Sequence, residues 1–224
     1  MIDNSTIHIR GDLMQIRAIA ALIINILIVL FTLNAHNLFQ RNIEKIHPGK
    51  SKFHFYIYFT SDSNLYNALC SLIMIPYLIM VITGRAEVVP SCIFALHFTG
   101  TCAVLVTFMT VMLFLGPIAG YSKMFKGSDL YLHMVCPLMS AISCAIFVPA
   151  EEAPFYLTFL GIIPTVVYGL VYIYMVLIKG PANGGWEDFY TFNRGGKWYV
   201  SLLLMFTGSY LIALGLMYLC RLFI

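Results

Sequence analysis

Charge is scarce in this chain, and so are the motifs of soluble catalysis. Only 10% of the 224 residues are Asp, Glu, Lys or Arg, against 60% that are hydrophobic. That balance falls outside the usual composition of soluble globular domains. The sequence contains no Walker loop, no Gly-x-Ser-x-Gly elbow and no His-Glu-x-x-His segment, which removes the familiar phosphate-cradle, serine-elbow and zincin chemistries. It has no internal repeat, and no run of alternating polar and apolar residues of the kind a membrane barrel strand needs. Its six cysteines (Cys70, Cys92, Cys102, Cys136, Cys144 and Cys220) form no C-x-x-C pair, and all fall in or at the ends of apolar runs. They read as small hydrophobes, which argues against disulfides and against a zinc site. Nothing implies a metal or another cofactor. The formal charge of +3 is too small and too dispersed to suggest a nucleic-acid partner.

What the chain has in abundance is long apolar runs. Stretches of about 18–25 such residues are long enough to cross a bilayer as helices. Six are expected: Ala18–Phe39, Asn64–Thr83, Ser91–Gly116, Leu130–Val148, Phe155–Ile178 and Trp198–Phe223. Because backbone polar groups must be satisfied inside lipid, the fold class is all-α, a polytopic membrane bundle forming a single domain over 1–224. The longest connectors, Gln40–Ser63 and Lys179–Lys197, leave no room for a soluble catalytic domain. The first span carries Asn25, Asn34 and His36 with no small-residue cleavage pattern behind it, so it reads as a retained helix. Nine of the thirteen Lys and Arg residues fall in the connectors after spans one, three and five, while Arg10, Arg17, Arg85 and Arg221 lie on the other side. The acidic pair Glu151 and Glu152 falls on that poorer side too. The excess of positive charge puts the odd-numbered connectors in the cytoplasm and both termini outside.

Against this apolar background, two polar sites stand out. Phe53–Phe59 is nearly all aromatic, and Thr60, Ser61, Asp62, Ser63 and Asn64 follow it at the mouth of span two. His133 opens span four. Polar groups at such positions are costly in lipid and face either a protein interior or a functional path. On span two, Thr60, Asn64, Asn67 and Ser71 share one helical face; on span four, His133, Pro137, Ser140 and Cys144 repeat that spacing. Parity puts Thr60, His133 and the connector with Trp186, Asp188 and Tyr190 at one membrane face, the cytoplasmic one by the charge count. Span five adds Thr165, Tyr168, Tyr172 and Lys179; span one adds Asn25, Thr32 and His36; span three adds His97 and Thr101. Each feature also has a plain structural reading. Ser71, Ser140 and Thr165 serve as packing glue, Phe53–Phe59 as an interfacial belt, Asp62 and Ser63 as helix caps, and His36 and His97 as satisfied structural histidines.

At these residues the chain resembles the androgen-induced protein family and its bacterial six-span relatives. The likeness runs from about Phe53 to Phe192: Tyr58-Phe59-Thr60 leading into Ser63-Asn64-Leu65, then His133 with Pro137, then Tyr168 and Tyr172 ahead of Gly180, Trp186 and Tyr190-x-Phe192. The fifth connector departs from the family's proline-rich form, reading Trp186-Glu187-Asp188-Phe189-Tyr190-Thr191-Phe192. The resemblance implies a membrane hydrolase of fatty acid esters of hydroxy fatty acids, with Thr60 as nucleophile and His133 as its partner, in a bacterial cell membrane. A lipid ester from the leaflet is then the expected substrate. Asn64, Asn67, Tyr168, Tyr172, Trp186 and Tyr190 are candidates for substrate binding or oxyanion stabilisation.

Residue chemistry is compatible with that mapping. A threonine hydroxyl is a weak nucleophile that needs an adjacent base, and imidazole suits the task at neutral pH. Two readings from other classes stand beside it. A small transporter or channel would use the polar stripes, with Asn25, His36 and His97, as a pathway. A non-catalytic membrane scaffold would use them for packing alone.

Overall fold

The computed structural model describes residues 4–46, 49, 51–148 and 154–223. Lys50, Glu151 and Glu152, used above for topology, lie outside them, as do the side chains of Arg10, Asp12, Lys45, Lys52 and Phe53. Among the described residues the chain is helical, with no strand, and six helices are long and apolar enough to cross a membrane. They are α1 (Asn4–Ile46), α2 (Phe59–Ile82), α3 (Ser91–Ala119), α4 (Ser128–Ile146), α5 (Leu157–Lys179) and α6 (Trp198–Arg221). This is the all-α six-helix membrane bundle that the hydropathy pattern predicts.

Two helices begin or end well away from the expected boundaries. Helix α1 runs past its apolar core at both ends, since polar residues there continue the helix without needing lipid. Helix α2 starts at Phe59 rather than Asn64. Hydropathy undercounts that first turn because Ser61, Ser63 and Asn64 are polar, yet all three are buried within the bundle. Helix α5 bends at Ile162, two residues before Pro164, whose missing N–H and ring disfavour an unbroken helix.

The bundle buries many polar side chains and turns large apolar ones outward. Asn25, Thr32, Asn64, Asn67, Ser71, Thr101 and Ser140 are fully buried, while Leu113, Leu170, Leu203 and Leu204 face outward. In lipid this inversion is expected, because apolar burial gives little driving force and interhelical hydrogen bonds and close packing take its place. A buried chain joins three helices: Ser140 Oγ donates to Asn67 Oδ1 at 2.9 Å, and Thr101 Oγ1 meets Ser140 Oγ at 2.8 Å. Ser63 Oγ pairs with Thr107 Oγ1 at 2.9 Å, and Asn25 Nδ2 donates to Ser143 Oγ at 2.7 Å. Ser140 therefore does act as packing glue, whereas Ser71 Oγ and Thr165 Oγ1 are buried without a hydrogen-bond partner among the described residues.

An apolar core fills the half of the bundle away from Thr60. There Phe94, Phe98, Cys102, Cys144, Leu157, Ala213, Leu216 and Met217 pack together across α3 to α6. Gly161 permits this approach: a Cβ on it would sit 2.8 Å from Cys102 Sγ and 2.9 Å from Ala213 Cβ. At the same face Arg17 Nη1 donates to the Phe223 carbonyl at 2.7 Å and Gln15 Nε2 to the Ile82 carbonyl at 3.2 Å. The start of α1 and the ends of α2 and α6 thus share one face, as parity requires. All six cysteines are free thiols.

Candidate active site at the Thr60 face

Three helices change their winding at the Thr60 face. Five- or six-residue π-helical turns occupy Val111–Leu115 at the end of α3, Tyr131–Val135 at the start of α4 and Tyr174–Lys179 at the end of α5. Such turns add a residue to the helical ladder and collect at functional sites. All three lie at the same end of the bundle, and the second contains His133.

Thr60 lies in the first turn of α2 and is half-buried. Asn64, one turn on, joins it to α4. Its Nδ2 donates to the Thr60 carbonyl at 2.8 Å and to the Leu132 carbonyl at 3.0 Å. The two segments expected to carry the chemistry are therefore tied through one buried amide, at residue 60 on one side and the neighbour of His133 on the other. No hydrogen bond joins Thr60 to His133 directly among the described residues. With both amide hydrogens occupied, Asn64 is a bridge and has none left for an oxyanion.

His133 is buried, and its Nδ1 contacts the Met124 carbonyl at 2.8 Å. A carbonyl can only accept, so Nδ1 carries the proton and Nε2 presents the lone pair, the tautomer a base needs. Asp129 stands one turn before His133 at the start of α4. Sequence reasoning missed Asp129, although the spacing Asp129-x-x-x-His133 is an i, i+4 pair and was there to be read.

The connector after α5 folds onto the start of α2. Tyr190 Oη accepts the Phe59 N–H at 3.1 Å and so caps α2, a task expected of Asp62 and Ser63. The residue preceding the helix, Tyr58, makes no side-chain cap. Tyr168 Oη donates to the Ile57 carbonyl at 2.7 Å, and the Tyr190 N–H donates to Tyr172 Oη at 3.1 Å. Asp188 is the hub, accepting from Tyr172 Oη at 2.9 Å, the Phe192 N–H at 2.7 Å and the Asn193 N–H at 2.8 Å. This holds Thr191 at a φ of 52°, a left-handed conformation uncommon outside glycine. Rings of Phe189, Tyr190, Trp186 and Phe192 surround Tyr172 with centroids 5.1–6.1 Å away. Burial pushes the Tyr190 hydroxyl up to about 12, the hydrogen bond from Phe59 N–H opposing this, so it stays a neutral hydroxyl at physiological pH.

Tyr168, Tyr172, Trp186 and Tyr190 are thus gathered at the start of α2, Tyr190 on the Phe59 N–H and Tyr168 on the Ile57 carbonyl. Asn67 is not with them; it lies deeper, in the chain with Ser140 and Thr101. His97 lies one turn before Thr101, with both ring nitrogens buried and without a hydrogen-bond partner among the described residues. A groove of about 480 Å³ opens elsewhere, lined by Tyr66, Cys92, Thr99, Tyr156, Leu160 and Pro164 between α2, α3 and α5. Among the described residues no cluster of His, Cys, Asp and Glu is arranged to hold a metal ion. No family model, curated protein or solved structure matches the chain.

Proposed function

We propose that this protein is a membrane-embedded hydrolase of lipid acyl esters in which Thr60 is the nucleophile and His133 its base. The observation that carries the reading is the Asn64 bridge, which ties the Thr60 and Leu132 carbonyls through one buried amide. The fixed tautomer of His133 supports it, since Nε2 is free to take the Thr60 proton as Oγ1 attacks the ester carbonyl. The leaving alcohol takes that proton back, and water then releases the acid from Thr60. Among the first-turn amides of α2, Phe59, Ser61 and Asp62 already have acceptors. The Thr60 N–H, with no acceptor among the described residues, is the donor available to a developing oxyanion.

The resemblance to the androgen-induced protein family supplies the substrate class, a long-chain ester entering from the leaflet at headgroup depth. A bacterial cell membrane, termini outside and a cytoplasmic site belong to the same proposal. Detergent-purified protein should hydrolyse long-chain acyl esters, and Thr60→Ala and His133→Ala should each abolish this while leaving the protein folded. A folded wild type inert toward a broad ester panel would defeat the reading. Transport has one observation in its favour, the unpartnered His97 in mid-bundle. Solute uptake into proteoliposomes that depends on His97 would favour it.

A further inference from the structure

The end of α3 is wound in a way that reaches His133. Its π turn covers Val111–Leu115, and the Gly116 N–H closes that turn on the Val111 carbonyl. In the same register the next carbonyl, that of Met112, would take its hydrogen from residue 117. That residue is Pro117, which has no N–H to give. The helical ladder therefore leaves an acceptor behind, and Tyr121 fills it. Its Oη donates to the Met112 carbonyl at 2.8 Å.

A tight reversal brings Tyr121 there. Gly120 turns the chain at a φ of 91°, and the Tyr121 ring lies over Gly116, where a Cβ would collide with it. Tyr121–Met124 then forms a single helical turn. The Met124 N–H donates to the Gly120 carbonyl at 3.3 Å and the Phe125 N–H to the Tyr121 carbonyl at 3.0 Å. The last carbonyls of a helical turn have no partner within it. One of them, on Met124, is the acceptor that meets His133 Nδ1 at 2.8 Å. An exposed tyrosine at this depth also reads as an interfacial belt residue. A belt residue needs only a depth, whereas Tyr121 has one seat on Gly116 and one carbonyl to satisfy.

We propose that Tyr121 is a positioning residue for His133. Its bond to Met112 fastens the Tyr121–Met124 turn to α3, and the turn's Met124 carbonyl keeps the His133 proton on Nδ1. Nε2 is then the nitrogen left to accept. The catalytic meaning of this rests on the hydrolase reading. Tyr121 touches none of the reacting atoms and acts only through the turn. Without the anchor the Met124 carbonyl is no longer fixed, and nothing selects the Nδ1–H tautomer. A ring carrying its proton on Nε2 cannot take another from Thr60 there.

Two readouts test this together. Wild type, Tyr121→Phe, Gly116→Ala and Thr60→Ala are assayed on a long-chain p-nitrophenyl ester. The first three are also made with histidines enriched in heavy nitrogen and examined by NMR at mildly alkaline pH, the His133 signals being those lost in His133→Ala. Tyr121→Phe keeps the ring over Gly116 and loses only the hydroxyl. Its kcat should fall about tenfold, with KM within about twofold of wild type, as expected when a base is misplaced and binding is untouched. His133 should carry its proton on Nδ1 in wild type and show a mixture of tautomers in Tyr121→Phe. Gly116→Ala, which displaces the ring, should move both readouts the same way and provides the test if Tyr121→Phe does not fold. Combining the two should cost less than the product of the single losses, because both act through one contact. Either readout unchanged in folded Tyr121→Phe would overturn the inference, and an inactive Thr60→Ala in the same assay would leave the hydrolase reading standing. Ester turnover unchanged in Thr60→Ala would overturn the hydrolase reading and with it the catalytic role of Tyr121.

Discussion

The two halves of this bundle are built on different principles. Away from Thr60, the helices close around Phe94, Phe98, Leu216 and Met217, with Gly161 allowing α5 to approach α3 and α6. At the Thr60 face the same helices carry π turns, buried hydroxyls and amides, and a connector held by one carboxylate. In lipid the first arrangement is the inexpensive one, and unpartnered polar atoms such as Ser61 Oγ and His36 Nε2 cost stability. Unpartnered polar atoms among the described residues continue into mid-bundle at Asn67, Ser71 and His97, so what sets the Thr60 end apart is its π turns and the connector folded onto it.

Substitutions should separate the halves sharply. The largest effect expected is on activity: Thr60→Ala or His133→Ala should lower ester turnover by about 10²–10⁴-fold, Thr60→Ala with little change in thermal midpoint and His133→Ala with a loss of about 1 kcal/mol from its bond to the Met124 carbonyl. Next comes Asp188→Ala, which removes the acceptor of three hydrogen bonds and should cost about 2–4 kcal/mol. It should also open the connector to limited proteolysis around Phe189, and lower activity with it. In the apolar half, Gly161→Val should lower stability by about 1–3 kcal/mol through overpacking. Turnover per folded molecule, counted by active-site titration, should stay near wild type. The smallest effect is Tyr190→Phe, which removes the oxygen capping Phe59 N–H and should cost about 1 kcal/mol by thermal melting. Equal losses of turnover from Gly161→Val and Asp188→Ala would erase the distinction.

The bundle was legible because apolar runs of spanning length have few other solutions in water or lipid. Parity alone brought Thr60, His133 and the Trp186–Phe192 connector to one face. What the sequence hid depends on contacts between distant residues. Asn64 was marked as a stripe residue, but only the folded chain shows its amide divided between α2 and α4. Asp188 was seen, yet its place as hub follows from a turn whose form no local pattern announces. The start of α2 was set five residues late because hydropathy cannot register polar side chains satisfied inside a bundle. His36 reads from the sequence as a structural histidine, and its edge-on contact with the Phe55 ring shows only in the folded chain.

The most direct test of the central claim is to treat folded protein with a fluorophosphonate and locate the adduct by peptide mass spectrometry. The account predicts modification of Thr60 in wild type and none in His133→Ala. An adduct on another residue, Ser61 included, or labelling of Thr60 that survives loss of His133, would contradict it.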